Sequence, residues 1–146
     1  METIGESLKQ FWLQQGIKLK LGISEIELSK FENKYNVLLP EDLKDYFSTV
    51  NGFNDEDCDE EVITFLPFEE IEPLSKCWSQ KPEAQSYFIF ADFLISSHVY
   101  AIRLTNNVNS NNPIFIVYDD TPIQIAESFS EFVKGYLKND YNILFP

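Results

Sequence analysis

Pro40-Glu41-Asp42-Leu43-Lys44-Asp45-Tyr46-Phe47-Ser48-Thr49-Val50-Asn51-Gly52 is a helix written with its punctuation. Pro40 cannot continue an earlier helix but suits the first turn of a new one. Glu41 and Asp42 stand where the positive end of the helix dipole favours acids. Leu43, Tyr46, Phe47 and Val50 then recur at i, i+3, i+4 and i+7, one face of a helix. Asn51-Gly52 supplies the left-handed residue of a C-cap, so the helix is expected to stop there. Past the acidic stretch 55–61 the period changes. Ile63-Thr64-Phe65-Leu66 reads as a short strand that Pro67 ends.

Working back from Pro40, Ser24-Glu25-Ile26-Glu27 is a capping box, and Leu28, Phe31 and Tyr35 form the stripe of a helix reaching about Tyr35. Ile4, Leu8, Phe11 and Trp12 mark an earlier helix over 3–15, with Gly16 as its terminator. Working forward, Phe68 to Glu72 suggests one helical turn, and the polar residues 75–86 read as a surface loop. Tyr87 to Leu94, His98 to Leu104 and Ile114 to Tyr118 are strand-like, rich in aromatic and β-branched residues. Ser96-Ser97 would turn between the first two. Asn106 to Asn112 forms a loop, and Asp119-Asp120-Thr121-Pro122 a turn. Ser128-Phe129-Ser130-Glu131 caps a final helix carrying Phe132, Val133, Tyr136 and Leu137, and the apolar tail from Tyr141 should pack back. Helices, then strands, then a helix give an α+β fold: an antiparallel sheet with helices packed on one face. No repeat or linker interrupts residues 1–146, which are expected to form a single domain.

The chain holds 11 basic against 24 acidic residues, a formal net charge of −13. Phosphate backbones and anionic membranes would be repelled by that field, which excludes nucleic acid and membrane surfaces as expected partners. A basic protein would be attracted and steered, although acidity also serves solubility alone. Cys58 and Cys77 form no ligand pair, which suits a reducing compartment. The N-terminal residues have no secretory pattern, and Tyr87 to Ala91 is an apolar run far shorter than a membrane span. A cytoplasmic location is expected.

The E-x-x-L-x-x-F-E pattern of Glu25, Leu28, Phe31 and Glu32 is followed by Leu39-Pro40, Asp42, Tyr46-Phe47 and Asn51-Gly52. This order resembles the N-terminal signature of the SUKH superfamily, that of the Smi/Knr-type cell-wall glucan-synthesis regulators and many bacterial proteins. Phe65 with Phe68-Glu69-Glu70-Ile71 resembles the family's strand and short helix. Tyr87 to Ile102, with Asp92 and Tyr100, resembles its central hairpin, and Ile125-Ala126 with Ser128-Phe129, Glu131 and Phe132 its closing helix. The likeness is strongest over residues 23–138. Ser96-Ser97 departs from it, standing where the family's hairpin often carries glycines. The resemblance implies a non-enzymatic, SUKH-like α+β domain. Bacterial members look like immunity proteins that neutralise a cognate toxin, often a nuclease, by direct binding. Fungal members look like regulatory scaffolds, which is the alternative.

Under that implication, Asp55, Glu56, Asp57, Asp59, Glu60 and Glu61 are candidate protein-binding residues that would occupy a basic toxin groove where phosphates sit. The competing reading is a solvated loop. Asp119 and Asp120 could extend the acidic face or merely make a turn, and Trp78 could anchor an interface or fold onto the sheet. A calcium loop fails on spacing, because Glu60 stands where its glycine is required and Leu66 where its bidentate glutamate is required. His98 and Ser96 could share a strand face, but no orienting acid or oxyanion hole is marked. Glycosidase-like carboxylate pairs carry no signal among 24 acids. No metal site, cofactor or catalytic residue is expected, and no phosphate-loop, dinucleotide or zinc-protease motif occurs.

Overall fold

A computed structural model describes residues 3–53, 57–76, 82–94, 97–118 and 121–146. Helix α1 (Ile4–Gln14) opens on a capping box: the Glu6 amide donates to Thr3 Oγ1 at 3.2 Å and the Thr3 amide to the Glu6 carboxylate at 3.4 Å. Leu8 and Trp12 on its inner stripe are fully buried. Strand β1 (Leu19–Leu21) precedes helix α2 (Glu25–Tyr35), which Ser24 caps and left-handed Asn36 ends. Helix α3 (Glu41–Thr49) buries Leu43, Tyr46 and Phe47.

The chain does not turn at Asn51-Gly52. Helix α3 ends at Thr49 and runs directly into strand β2 (Val50–Phe53), which pairs with β1. The dipeptide joins two layers instead. Asn51 Oδ1 accepts from the Phe68 amide at 2.6 Å, and its Nδ2 donates to Glu69 at 3.0 Å. Gly52, at φ 66°, lies against the backbone of Phe65 and Leu66, where a Cβ would come within 2.6 Å of the Leu66 carbonyl oxygen. Glycine is required for the close approach and the positive φ, not for a helix cap.

Strand β3 (Ile63–Phe65) starts the main sheet. Three 3-10 turns follow at Phe68–Glu70, Leu74–Lys76 and Pro82–Ser86. Strands β4 (Tyr87–Phe93), β5 (His98–Arg103), β6 (Ile114–Tyr118) and β7 (Thr121–Ala126) complete an antiparallel five-stranded meander in sequence order. Strand β7 takes Thr121 and Pro122 from the expected turn, whose Asp119 and Asp120 lie outside the described residues, and corrects the helical placing of Ile125-Ala126. It lies at the edge with Pro122 opposite Val117, where proline is tolerated, and exposes Thr121, Ile123 and Gln124. Helix α4 (Phe129–Leu137) and short helix α5 (Tyr141–Leu144) close the chain.

The helices lie on one face of the sheet, where Phe88, Phe90, Tyr100, Ile102, Ile114 and Ile116 join the core around Trp12, Phe65 and Phe132. The other face is not open. Ile89, Val99, Ala101, Phe115 and Val117 are buried there with Leu74 and Ala84. Ala84, within the stretch expected as a surface loop over 75–86, therefore contributes cover to the second face, while residues 77–81 of that stretch lie outside the described residues. Burial on both faces explains why Ile114 to Val117 is continuously apolar rather than alternating.

Candidate interaction surface

Of the acidic stretch 55–61 the described residues begin at Asp57, in the segment between β2 and β3. Asp57 accepts from the Lys18 amide at 3.1 Å and the Cys58 amide at 3.3 Å. Asp59 departs from expectation most. It is 7% exposed rather than presented to solvent. Its Oδ1 accepts from the Glu61 and Ile63 amides at 2.8 and 2.9 Å, and its Oδ2 accepts a short bond from the Tyr136 hydroxyl. That hydroxyl in turn accepts from Trp12 Nε1 at 2.7 Å. Burial raises the Asp59 pKa, the hydrogen bonds pull it back in part, and the Glu61 charge adds to the rise. Asp59 is a lock joining α1, α4 and the acidic segment, and its oxygens are committed inside the chain.

Glu60, exposed, and Glu61, half-buried, are what the segment offers outward. The Glu60 side chain is exposed, while its amide donates to Gln15 at 3.0 Å. Glu61 accepts from the exposed Tyr141 hydroxyl at 3.0 Å, which raises the tyrosine pKa. These two glutamates form a wall shared by two depressions. One, of about 290 Å³, is lined by Phe11, Gln14, Gln15, Asp59, Tyr136 and Asn139 besides them. The other, shallower and of about 430 Å³, is lined by Val62, Phe93, Tyr141 and Phe145 besides them. Two of the residues lining the second, Val62 (41% exposed) and Tyr141 (53%), are exposed apolar side chains that the sequence did not single out as site residues, and Leu94 (51%), whose amide donates to the Val62 carbonyl, adjoins them. No periodicity marks them, because Val62 follows a charge run and Leu94 ends a strand pattern.

Asp55, Glu56, Trp78, Asp119 and Asp120 lie outside the described residues, as do Ser96 and Cys77. His98 is buried in a cage of rings, stacked on Phe93 at 4.7 Å and edged by Tyr100, Tyr118 and Phe145. Its Nε2 lies 3.2 Å from the Tyr100 hydroxyl, which donates to the Leu144 carbonyl at 2.8 Å. Desolvation lowers its pKa to about 4. This is the environment of a neutral packing residue that holds α5, not of an imidazole aligned by a carboxylate. Among the described residues no group of three His, Cys, Asp or Glu could hold a metal ion, and no helix is long and apolar enough to cross a membrane.

Comparison with known proteins gives one positive result. The family model described as SMI1 / KNR4 family (SUKH-1) matches residues 22–135. No curated protein matches the chain.

Proposed function

The chain belongs to the SMI1/KNR4 family (SUKH-1), and from that premise we propose that it is a protein-binding module, an immunity protein that neutralises a basic toxin domain by direct binding. The observation that carries this reading is the Glu60–Glu61 wall: two outward carboxylates between depressions, next to exposed apolar side chains. Charged rims set approach and register, and apolar centres supply contact energy. The net charge of −13 supports a basic partner, and a toxin that grips nucleic acid must present one. Such a toxin would be met in the cytoplasm. The inhibition is stoichiometric and without catalysis, in keeping with a histidine caged by aromatic rings.

The test is capture from the source organism with the intact chain as bait, at low and at high salt. A basic toxin-like domain recovered at low salt and depleted at high salt is the expected result. Recovery of wall-synthesis or signalling proteins, insensitive to salt, would replace the immunity reading with the regulatory-scaffold one.

A further inference from the structure

Four non-glycine residues among those described have positive φ: Asn36 at 54°, Asn139 at 53°, Val62 at 64° and Leu94 at 49°. The first two follow helix ends, where asparagine tolerates the left-handed region at little cost. The other two are of the wrong type for it. A β-branched residue at positive φ is a true outlier, because its Cβ crowds the following carbonyl. Val62 and Leu94 are also neighbours: the Leu94 amide donates to the Val62 carbonyl at 3.1 Å, and the Val62 amide to that of Asp59 at 3.0 Å. Both side chains are substantially exposed, so core packing does not repay the strain. Asparagine or glycine would satisfy the backbone at both positions. Strain kept where packing does not require it points to a use outside the chain.

We propose that Val62 and Leu94, with Tyr141, are the apolar anchor of the binding face. Val62 lines the depression together with Phe93 and Phe145, and the bond from the Leu94 amide to the Val62 carbonyl sets the exposed Leu94 next to it. The occupant is a protein surface bearing a leucine-like or aromatic side chain flanked by lysine or arginine. Its apolar group meets Val62, Leu94 and the Tyr141 ring, and its cations meet Glu60 and Glu61, which wall the same depression. The Tyr141–Glu61 hydrogen bond holds ring and carboxylate in one orientation, reducing what binding must order. This inference rests on the basic-partner reading and adds that charge alone does not suffice.

The experiment is a titration of the isotope-labelled intact chain, followed by backbone amide NMR shifts. One probe is a short capped peptide alternating lysine with leucine around a central tryptophan. The other has serine in place of every apolar residue. The leucine peptide is expected to shift Glu60, Glu61, Val62, Leu94 and Tyr141 and to bind at least tenfold more tightly. Equal affinity of both peptides at this face would overturn the anchor and leave the basic-partner reading standing. Absence of shifts there with either peptide would overturn both. Val62→Asn and Leu94→Asn supply a second readout. Each should keep or raise the thermal midpoint by relieving the backbone, while weakening the leucine peptide about tenfold. A lowered midpoint with unchanged affinity would make the two side chains structural and end the proposal.

Discussion

Trp12 touches two buried tyrosines whose hydroxyls have opposite circumstances, and the difference gives opposite expectations. The Tyr136 hydroxyl accepts from Trp12 Nε1 and donates to Asp59. Tyr136→Phe strands an indole donor and a buried carboxylate oxygen together, which should cost roughly 2–3 kcal/mol in urea denaturation. The Tyr46 hydroxyl is equally buried but finds no partner among the described residues. Tyr46→Phe removes an unpaired polar atom while keeping the ring, so it should be neutral or stabilising by about 1 kcal/mol in the same measurement. Equal losses in the two variants would contradict this assignment. His98 adds a pH dependence. Its folded pKa is lowered from 6.5 to about 4, so between those values the unfolded chain binds the extra proton. The stability conferred by neutral His98 is full above pH 6.5 and is lost as pH falls toward 4. Asp59, whose pKa is raised, works in the opposite direction, favouring the folded state as its carboxyl protonates. Comparison with His98→Phe isolates the imidazole. From pH 7 to 4.5 the native chain should lose roughly 2–3 kcal/mol relative to that variant, and parallel curves would show that the cage does not disfavour the cation.

Elements were legible in the sequence where one face is buried and the ends are punctuated. All three N-terminal helices, helix α4 and the strands from Ile63 to Tyr118 follow from apolar spacing and from Ser24, Pro40 and Ser128 at helix starts, whereas α5 reads only as an apolar tail. Three strands escaped. Strands β1 and β2 are short, and β7 is an edge strand with a proline and no clean alternation. Asn51-Gly52 escaped differently, because its local signal is a helix cap and its actual role lies in pairing with residues 65–69. Long-range contacts of that kind leave no trace in a window of neighbouring residues. Several of the polar residues carrying the family signature turn out to have structural work of this kind. Glu32 accepts from the Leu39 amide, Asp42 accepts from the Ser130 amide and hydroxyl, and Asn51 holds Phe68 and Glu69. These contacts secure a scaffold, and the proposed recognition would then use surfaces the signature does not specify. Gly52→Ala tests the scaffold role. A Cβ at φ 66° would meet two carbonyl oxygens, so the substitution should cost about 2 kcal/mol or more in chemical denaturation, whereas a mere helix terminator would tolerate it for less.

Over the whole molecule, the surplus of carboxylates divides into those the fold consumes and those it leaves outward. Asp59, Asp42 and Glu32 are held by internal donors, and Glu69 is paired with Lys20 and Asn51. Glu60 and Glu61 stand at the rim of the apolar depression with Asp57 close in sequence, so these three, not Asp59, can be neutralised without dismantling the core. Removing Asp59 would destabilise the core itself, since it would leave the Tyr136 hydroxyl and the Glu61 and Ile63 amides without their acceptor. The combined variant Asp57→Asn, Glu60→Gln and Glu61→Gln retains acceptors for the Lys18 amide and the Tyr141 hydroxyl, so its thermal midpoint should stay near that of the native chain. Exposed charges act at a distance, mainly on encounter rather than on the formed contact. Association with the captured basic domain should therefore slow about tenfold at low ionic strength, with the dissociation rate changed far less. Near 0.5 M salt, where screening has shortened the reach of a charge to about 4 Å, the two chains should associate at similar rates. Equal association rates at low salt would mean that the acidic segment does not steer, and its outward charge would then serve solubility alone.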